Sequence, residues 1–537
     1  MLAGDEGDPD VVSWPFKLLF WLLALLLPMA GAWFGSSIAA YRNSATWVPF
    51  VAAAMAFPVV PLLWEAFGAW RFRRKRAARD AQASAVEAKT GKRFDDAPRR
   101  FLTFGDRLVL RTMVVNLLFV GGIMVRDASV VFTALAARGD WFLDRVDAPW
   151  AADARRWCFA AADRLEWLWE ATHENPYVRD DEPPPPPPDL PDAPPGDDDG
   201  GEPPDDVELP DDLPELPDEG GDVDPGGDVD GGDGGEGDSG DDDPAEPQDP
   251  APRRSKWPFA PTLHPAVASV PASVETDPAS VGRYLAKQEE DPLRRLKLLH
   301  DYVADRIAYD VPALRAPRIP PQSAEKALRE GKAVCSGYAL LLQALGKAAG
   351  LEIVYVVGFS RDTDGSVPGV GHAWNAAKVD GQWYLIDTTW DAGHVNGETF
   401  TKKYTADYLM TPPEVFGLNH LPDEPRWQLR ASPISRGEFI RQPNVRPMLY
   451  AQGFILEDPT RSQVTVSDDF TMRLQNRRGR HLMVKYGQDG RCDVTGTDQL
   501  DVVCDLPRRG TYPVKLFVGQ NQYGTYWYAG RFEVHLR

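Results

Sequence analysis

The N-terminal part of the chain is dominated by long uncharged runs. Leu18 to Tyr41 (LLFWLLALLLPMAGAWFGSSIAAY) contains no charged residue, and a second such run, Asn43 to Trp64, follows Arg42. As helices, both are long enough to cross a hydrocarbon core. They predict a transmembrane helical hairpin over residues 1–71, with Trp14, Trp33, Trp47, Trp64 and Trp70 placed as interfacial aromatics. The leader is acidic (Asp5, Glu6, Asp8, Asp10) with only Lys17 as a cation, and a second span follows, which argues against a cleaved signal peptide. Thr112 to Val125 is a shorter uncharged run that Arg111 would extend by snorkelling. We read 108–179 as a third span followed by juxtamembrane amphipathic helices, in which Cys158 is an inert buried thiol.

Past Trp257 the pattern turns globular. Asp291-Pro292 reads as an N-cap and first-turn proline, and Leu296, Leu299, Val303 and Ile307 recur at helical spacing behind it. Ser323 to Gly331 predicts a short capped helix. Cys335 opens a further one, with Leu341, Leu342, Leu345 and Ala348 on its apolar side and Gly350 as its stop. Leu351 to Phe359 reads as a buried strand. Two β-rich runs, His372 to Val379 and Gln382 to Trp390, flank Asp380-Gly381, the signal of a two-residue hairpin. From about Ile455, short β-rich segments recur between turns: 463–466, 471–474, 481–486, 500–504, 512–518 and 526–536. That spacing predicts an antiparallel β-sandwich.

Charge sharpens the division into parts. The chain has 58 basic and 80 acidic residues, but 29 of the acids lie between Asp180 and Asp249, where there is no Lys or Arg. Residues 180–256 therefore read as an acidic Pro/Gly-rich disordered linker, with Pro183 to Pro188 as a polyproline II rod. The remainder is near neutral, with no patterned basic face, so no nucleic-acid partner is expected. Alternating carboxylates from Asp222 to Asp243 suit a hard cation, yet they lack a spaced bidentate Glu, and a solvated spacer rather than a calcium site is expected. Twelve cations against five acids between Arg71 and Arg107 place residues 72–107 as a basic cytoplasmic loop. With a third span, the parts beyond it become extracytoplasmic. The four Cys include no C-x-x-C, and H-E-x-x-H is absent, so neither metal nor cofactor is expected. Cys492 and Cys504 face each other across a hairpin turning near Gly496. They would form a disulfide outside the cytoplasm and remain thiols inside it.

The candidate chemistry sits in the middle segment. A Cys at a helix start, Cys335, lies against the positive end of the macrodipole and beside unpaired amides, which favours the thiolate and offers donors to an oxyanion. In the hairpin register Val379 faces Gln382, which sets Trp374 opposite Asp387 and His372 opposite Thr389. His372 and Asp387 are then diagonal neighbours on one face. Nucleophile, base and orienter are thereby assembled as Cys335, His372 and Asp387. Trp374 and Trp390 flank the pair, either as walls of an acyl channel or as core. His394 and His420 read as structural loop residues.

AVCSGYA followed by GHAWNAAKVDGQWYLIDTTWDAG resembles the transglutaminase-like core of papain-like cysteine enzymes, and Tyr408 to Pro412 with His420 to Leu429 is similar to the kyphoscoliosis peptidase branch. The resemblance implies an α+β fold: a transglutaminase/papain-like catalytic core over 257–430, then an Ig-like antiparallel β-sandwich over 431–537, behind N-terminal transmembrane helices. By that resemblance Cys335, His372 and Asp387 match the Cys-His-Asp triad, the substrate is a protein or peptide, and Gln322 stands by loose analogy as an oxyanion donor. Where the resemblance leads to Gly after the second Trp, this chain has Asp391, a second carboxylate near the site. The expected protein is a multi-pass membrane cysteine peptidase or acyl transferase. The rival is a catalytically silent tethered adaptor that uses core and sandwich to bind a partner.

Overall fold

The computed structural model describes residues 9–42, 44–45, 47–90, 102–144, 146, 148–179, 257–361 and 370–537. The polyproline run and the Asp/Gly run of 180–256 lie outside these residues.

Among the described residues three helical stretches are long and apolar enough to cross a membrane: Leu22–Tyr41, Val48–Ala85 and Phe104–Arg126. The second begins as the helix Val48–Ala54, passes through a π-helical turn at Met55–Val59 that contains Pro58, and resumes as Val60–Thr90. Pro58 has no N–H to give the ladder, which accounts for the local irregularity. Residues 72–90, expected as part of a loop, are helical. Their Ala, Arg, Lys and Gln content favours that state. The third helix continues beyond the apolar stretch to Arg138 and starts at a capping box between Thr103 and Asp106.

The end of that helix docks on the C-terminal half. Ala128, Phe132 and Ala136 pack with Leu168 and Trp169 against Phe359 and Ile440. Ion pairs frame this contact: Arg441 with Asp163 at 3.2 Å, Arg436 with Glu166 at 3.3 Å, Arg461 with Asp140 at 2.8 Å and Arg537 with Asp144 at 2.9 Å.

The middle segment forms its elements where local signals called for them. Asp291 caps the helix Pro292–Arg306 by accepting from the Arg294 N–H, and Ser323 caps Ala324–Glu330, which stops at Gly331 with φ of +61°. The helix Cys335–Ala348 is buried against the helices Pro278–Ala286 and Pro292–Arg306 and one face of a sheet, through Val281, Leu285, Leu299, Leu341, Leu345 and Ile386. That sheet is antiparallel, in the order Leu409–Thr411, Gln382–Ile386, Val370–Val379, Glu352–Ser360, His420–Pro422. Asp380 and Gly381 turn the central hairpin with φ of 50° and 80°, as an Asp-Gly primed turn requires. Val379 pairs with Gln382 and Asn375 with Ile386.

The C-terminal part consists of a six-stranded and a four-stranded sheet that share one core, with Phe470, Leu474 and Val502 from one sheet meeting Val484, Leu516 and Phe532 from the other. Pairing is antiparallel except at Gln463–Val466, which runs parallel to Tyr526–Leu536. That strand crosses from the other sheet instead of returning by a hairpin. Cys492 and Cys504 form a disulfide across the expected hairpin. Trp257 is buried in the same core and donates its Nε1 hydrogen to the Asp407 carbonyl at 3.4 Å.

Candidate active site

Cys335 is the first residue of its helix, and the N-cap position is Val334, which has no side-chain acceptor to occupy first-turn amides. Gly337 lets its neighbours pack closely on this turn. A Cβ there would lie 2.5 Å from Ala333 Cβ and 2.9 Å from Gln322 Oε1. Gln322 therefore stands at the helix start, but its Nε2 donates to the Pro320 carbonyl at 2.9 Å.

His372 lies on the central strand Val370–Val379, paired with Gly358 on the neighbouring one. Asp387 follows the end of Gln382–Ile386 and caps the short helix Thr388–Ala392, with Oδ1 accepting from the Thr389 and Trp390 amides at 2.9 and 3.3 Å. One carboxylate oxygen is thus fixed by backbone, and the other, Oδ2, lies 2.7 Å from His372 Nε2. Cys335 acts on the same imidazole from the helix start, and the ring's Nε2 is taken by Asp387. The structure brings Cys335, His372 and Asp387 together.

All three are buried. Burial works against a charged His372, yet the Asp387 carboxylate and Cys335 hold the imidazole up to about 10. Burial also opposes ionisation of Asp387, but the charge and hydrogen bond of His372, with that of His420, keep its carboxyl well below the usual range. Such a site holds an imidazolium between a fixed carboxylate and a thiol, which is the charge arrangement of a nucleophile paired with its acid-base partner.

His420 corrects the sequence reading. It is a buried residue of the edge strand His420–Pro422, paired with Ser360, and its Nε2 lies 3.0 Å from the same Asp387 Oδ2. Burial brings its imidazole down to about 4, against the pull of Asp387. His372, Asp387 and His420 each bring a donor atom within 4.8 Å of the others, a spacing open to a metal. The two nitrogen–oxygen distances are those of hydrogen bonds, which account for the cluster without one. No local sequence signal marks His420, because strand pairing alone carries it to the site. His394 lies apart from the cluster on the exposed hairpin strand Gly393–Asn396.

Asp391 turns away from the thiol. It is buried against His300 Nε2 at 3.1 Å and accepts from Thr405 at 2.8 Å and from the Tyr408 amide. His300 Nδ1 is in turn 3.0 Å from Asp301. Of the two tryptophans, Trp374 is core, whereas Trp390 is half-buried with its ring 5.6 Å from that of His372.

Residues 279–388 match the model of the transglutaminase-like superfamily. Cys335, His372 and Asp387 fall inside that stretch and His420 outside it. The chain is similar to kyphoscoliosis peptidase of Mus musculus, at 31% identity over 201 residues, covering 36% of this chain and 30% of that protein. To the Homo sapiens kyphoscoliosis peptidase it is 30% identical over 200 residues, with 36% and 30% covered. Lim and transglutaminase domain protein ltd-1 of Caenorhabditis elegans is 31% identical over 141 residues, or 23% of this chain and 19% of that protein. The chain thus spans less than a third of the length of these curated relatives.

Proposed function

This chain belongs to the transglutaminase-like superfamily, on its kyphoscoliosis peptidase-like branch, and from that membership we propose a membrane-anchored cysteine enzyme that attacks peptide or isopeptide amides through a thioester. The observation that carries this reading is the 2.7 Å contact between His372 Nε2 and Asp387 Oδ2, with the Cys335 thiol on the same imidazole at a helix start. In the proposed reaction Cys335 Sγ attacks the acyl carbon while His372 holds the thiol proton and passes it to the leaving amine. First-turn amides of the Cys335–Ala348 helix stabilise the oxyanion. Water or a second amine then attacks the thioester, His372 takes its proton, and the thiolate leaves. Water as acceptor makes the protein a peptidase, an amine makes it a cross-linker.

The placement in a membrane rests on the three apolar helices, and the extracytoplasmic side on the basic run from Arg71 and the Cys492–Cys504 disulfide. The catalytic domain is assigned to 257–430 and an Ig-like sandwich to 431–537. The test is full-length protein in detergent incubated with casein, with and without a fluorescent primary amine. Peptide release or amine incorporation is expected, and its loss in Cys335→Ala. Absence of both products from the parent defeats the enzyme reading and leaves the adaptor, and product that survives Cys335→Ala removes Cys335 as the nucleophile. Reporters fused after residues 90 and 180 are expected in opposite compartments. Finding both in the same one removes the third span.

A further inference from the structure

Cys335 is only 1% exposed, so a substrate acyl group does not reach it in this state. What covers it comes from the other side of residues 180–256 in the chain. Asn175 Nδ2 donates to the Gly358 carbonyl at 2.8 Å and to Asp423 Oδ2 at 3.0 Å, while its Oδ1 accepts from the Tyr177 N–H at 3.1 Å. Pro176 lies over Gly371, where a Cβ would come within 2.9 Å of the proline ring. The Tyr355 hydroxyl donates to the Tyr177 carbonyl at 2.9 Å. Held at these points, the Tyr177 side chain is 5% exposed and packs with Cys335 and Ala373 in a pocket walled by Tyr309, Ile319, Tyr355 and Val357. Burial together with Cys335 pushes the phenol upward, so it stays neutral.

We propose that residues 173–179 form an intramolecular strap occupying the acyl-donor cleft in front of Cys335, and that this cleft, once the strap lifts, takes an extended peptide bearing an aromatic side chain. The inference rests on the enzyme reading for the name of the cleft, but its geometry stands alone. The contacts to Gly358 and from Tyr355 involve backbone carbonyls, one on the cleft and one on the strap, and any peptide offers equivalents. The pocket beside the thiol is the selective element, because the rings of Tyr309 and Tyr355 favour a flat apolar side chain with a polar tip. Opening is local: a few hydrogen bonds and one ring are released while the core sheet keeps its pairing.

The experiment uses full-length protein in detergent in a Cys158→Ser background, so that Cys335 is the one cysteine outside the disulfide. Iodoacetamide labelling is followed by mass at neutral pH. Tyr177→Ala is expected to label at least about tenfold faster than the parent. Asn175→Ala, which loosens the strap without touching the pocket walls, is expected to accelerate labelling too, and Tyr177→Phe to remain near the parent rate. A peptide of residues 171–179 added in trans to Tyr177→Ala should restore protection, and the same peptide with Ala at the tyrosine should not. Labelling of both Tyr177→Ala and Asn175→Ala at the parent rate overturns the strap, and so does Tyr177→Phe labelling as fast as Tyr177→Ala. Failure of the peptide to protect overturns the aromatic cleft. His372→Ala added to Tyr177→Ala separates the two readings: unchanged labelling there removes the activated nucleophile while the strap stands.

Discussion

His420 and His372 meet on one atom, the Oδ2 oxygen of Asp387, at 3.0 and 2.7 Å. The two imidazoles differ in charge, because His372 is held up to about 10 and His420 down to about 4. His420 is therefore a neutral donor that fixes the carboxylate, while His372 carries the proton. Removing the donor in His420→Ala leaves a buried carboxylate oxygen with one partner fewer, at a cost of about 1–3 kcal/mol in unfolding free energy. His420→Gln, which keeps an N–H, should recover part of it. Urea unfolding of the three proteins decides this, and an Ala variant as stable as the parent would sink it.

Asp407 gives a pH dependence of definite sign. Burial, then the nearby Asp391 charge, raises its carboxyl to about 7, against Arg446 and Lys403. The folded protein thus holds a proton that the unfolded chain loses near pH 4. Its contribution is fully present below that value and is lost as pH rises toward 7. Asp407→Asn is expected to melt above the parent at pH 8, with the gap closing toward pH 4. A gap independent of pH would show that ionisation of this group is not its origin.

Gly358 sets the distance between the central hairpin and the edge strand. A Cβ there would fall 2.2 Å from the Leu421 carbonyl and 2.6 Å from the Trp374 ring. Gly358→Ala must push the His420–Pro422 strand outward, at about 1–3 kcal/mol. Beyond lost stability, the expected signature is a reduced effect of His420→Ala in the Gly358→Ala background, measured as a double-mutant cycle. Strict additivity of the two changes would contradict the coupling.

The disulfide closes a short loop, with a sequence separation of 12. Reduction or Cys492→Ser is expected to destabilise the C-terminal sheets by about 3 kcal/mol. Alkylation without reductant should leave both cysteines unmodified. Their ready labelling in the untreated protein would mean that the bond does not form in its native compartment.

Local signals carried the reading a long way. Asp380-Gly381 and the alternation around it set the hairpin, so the pairing of Val379 with Gln382 was countable, and caps at Asp291 and Ser323 placed their helices. The approach of Cys335 to His372 follows from packing a helix on that hairpin. His420 and Tyr177 were not legible, since each arrives through contacts distant in sequence: Ser360 for the edge strand, Gly358 and Tyr355 for the strap. The helix through the basic run was hidden by its charge, which favours an exposed segment but says nothing against helix. Asp391 stood beside Asp387 in sequence, yet lies in the short helix that Asp387 caps, where it turns onto His300.

The ion pairs that Arg441, Arg436, Arg461 and Arg537 make with Asp163, Glu166, Asp140 and Asp144 bear on the acidic segment that separates these partners in sequence. Tyr177 and Trp257, on either side of residues 180–256 in sequence, are both buried. A protease cut within that segment is therefore expected to give two fragments that stay together through purification.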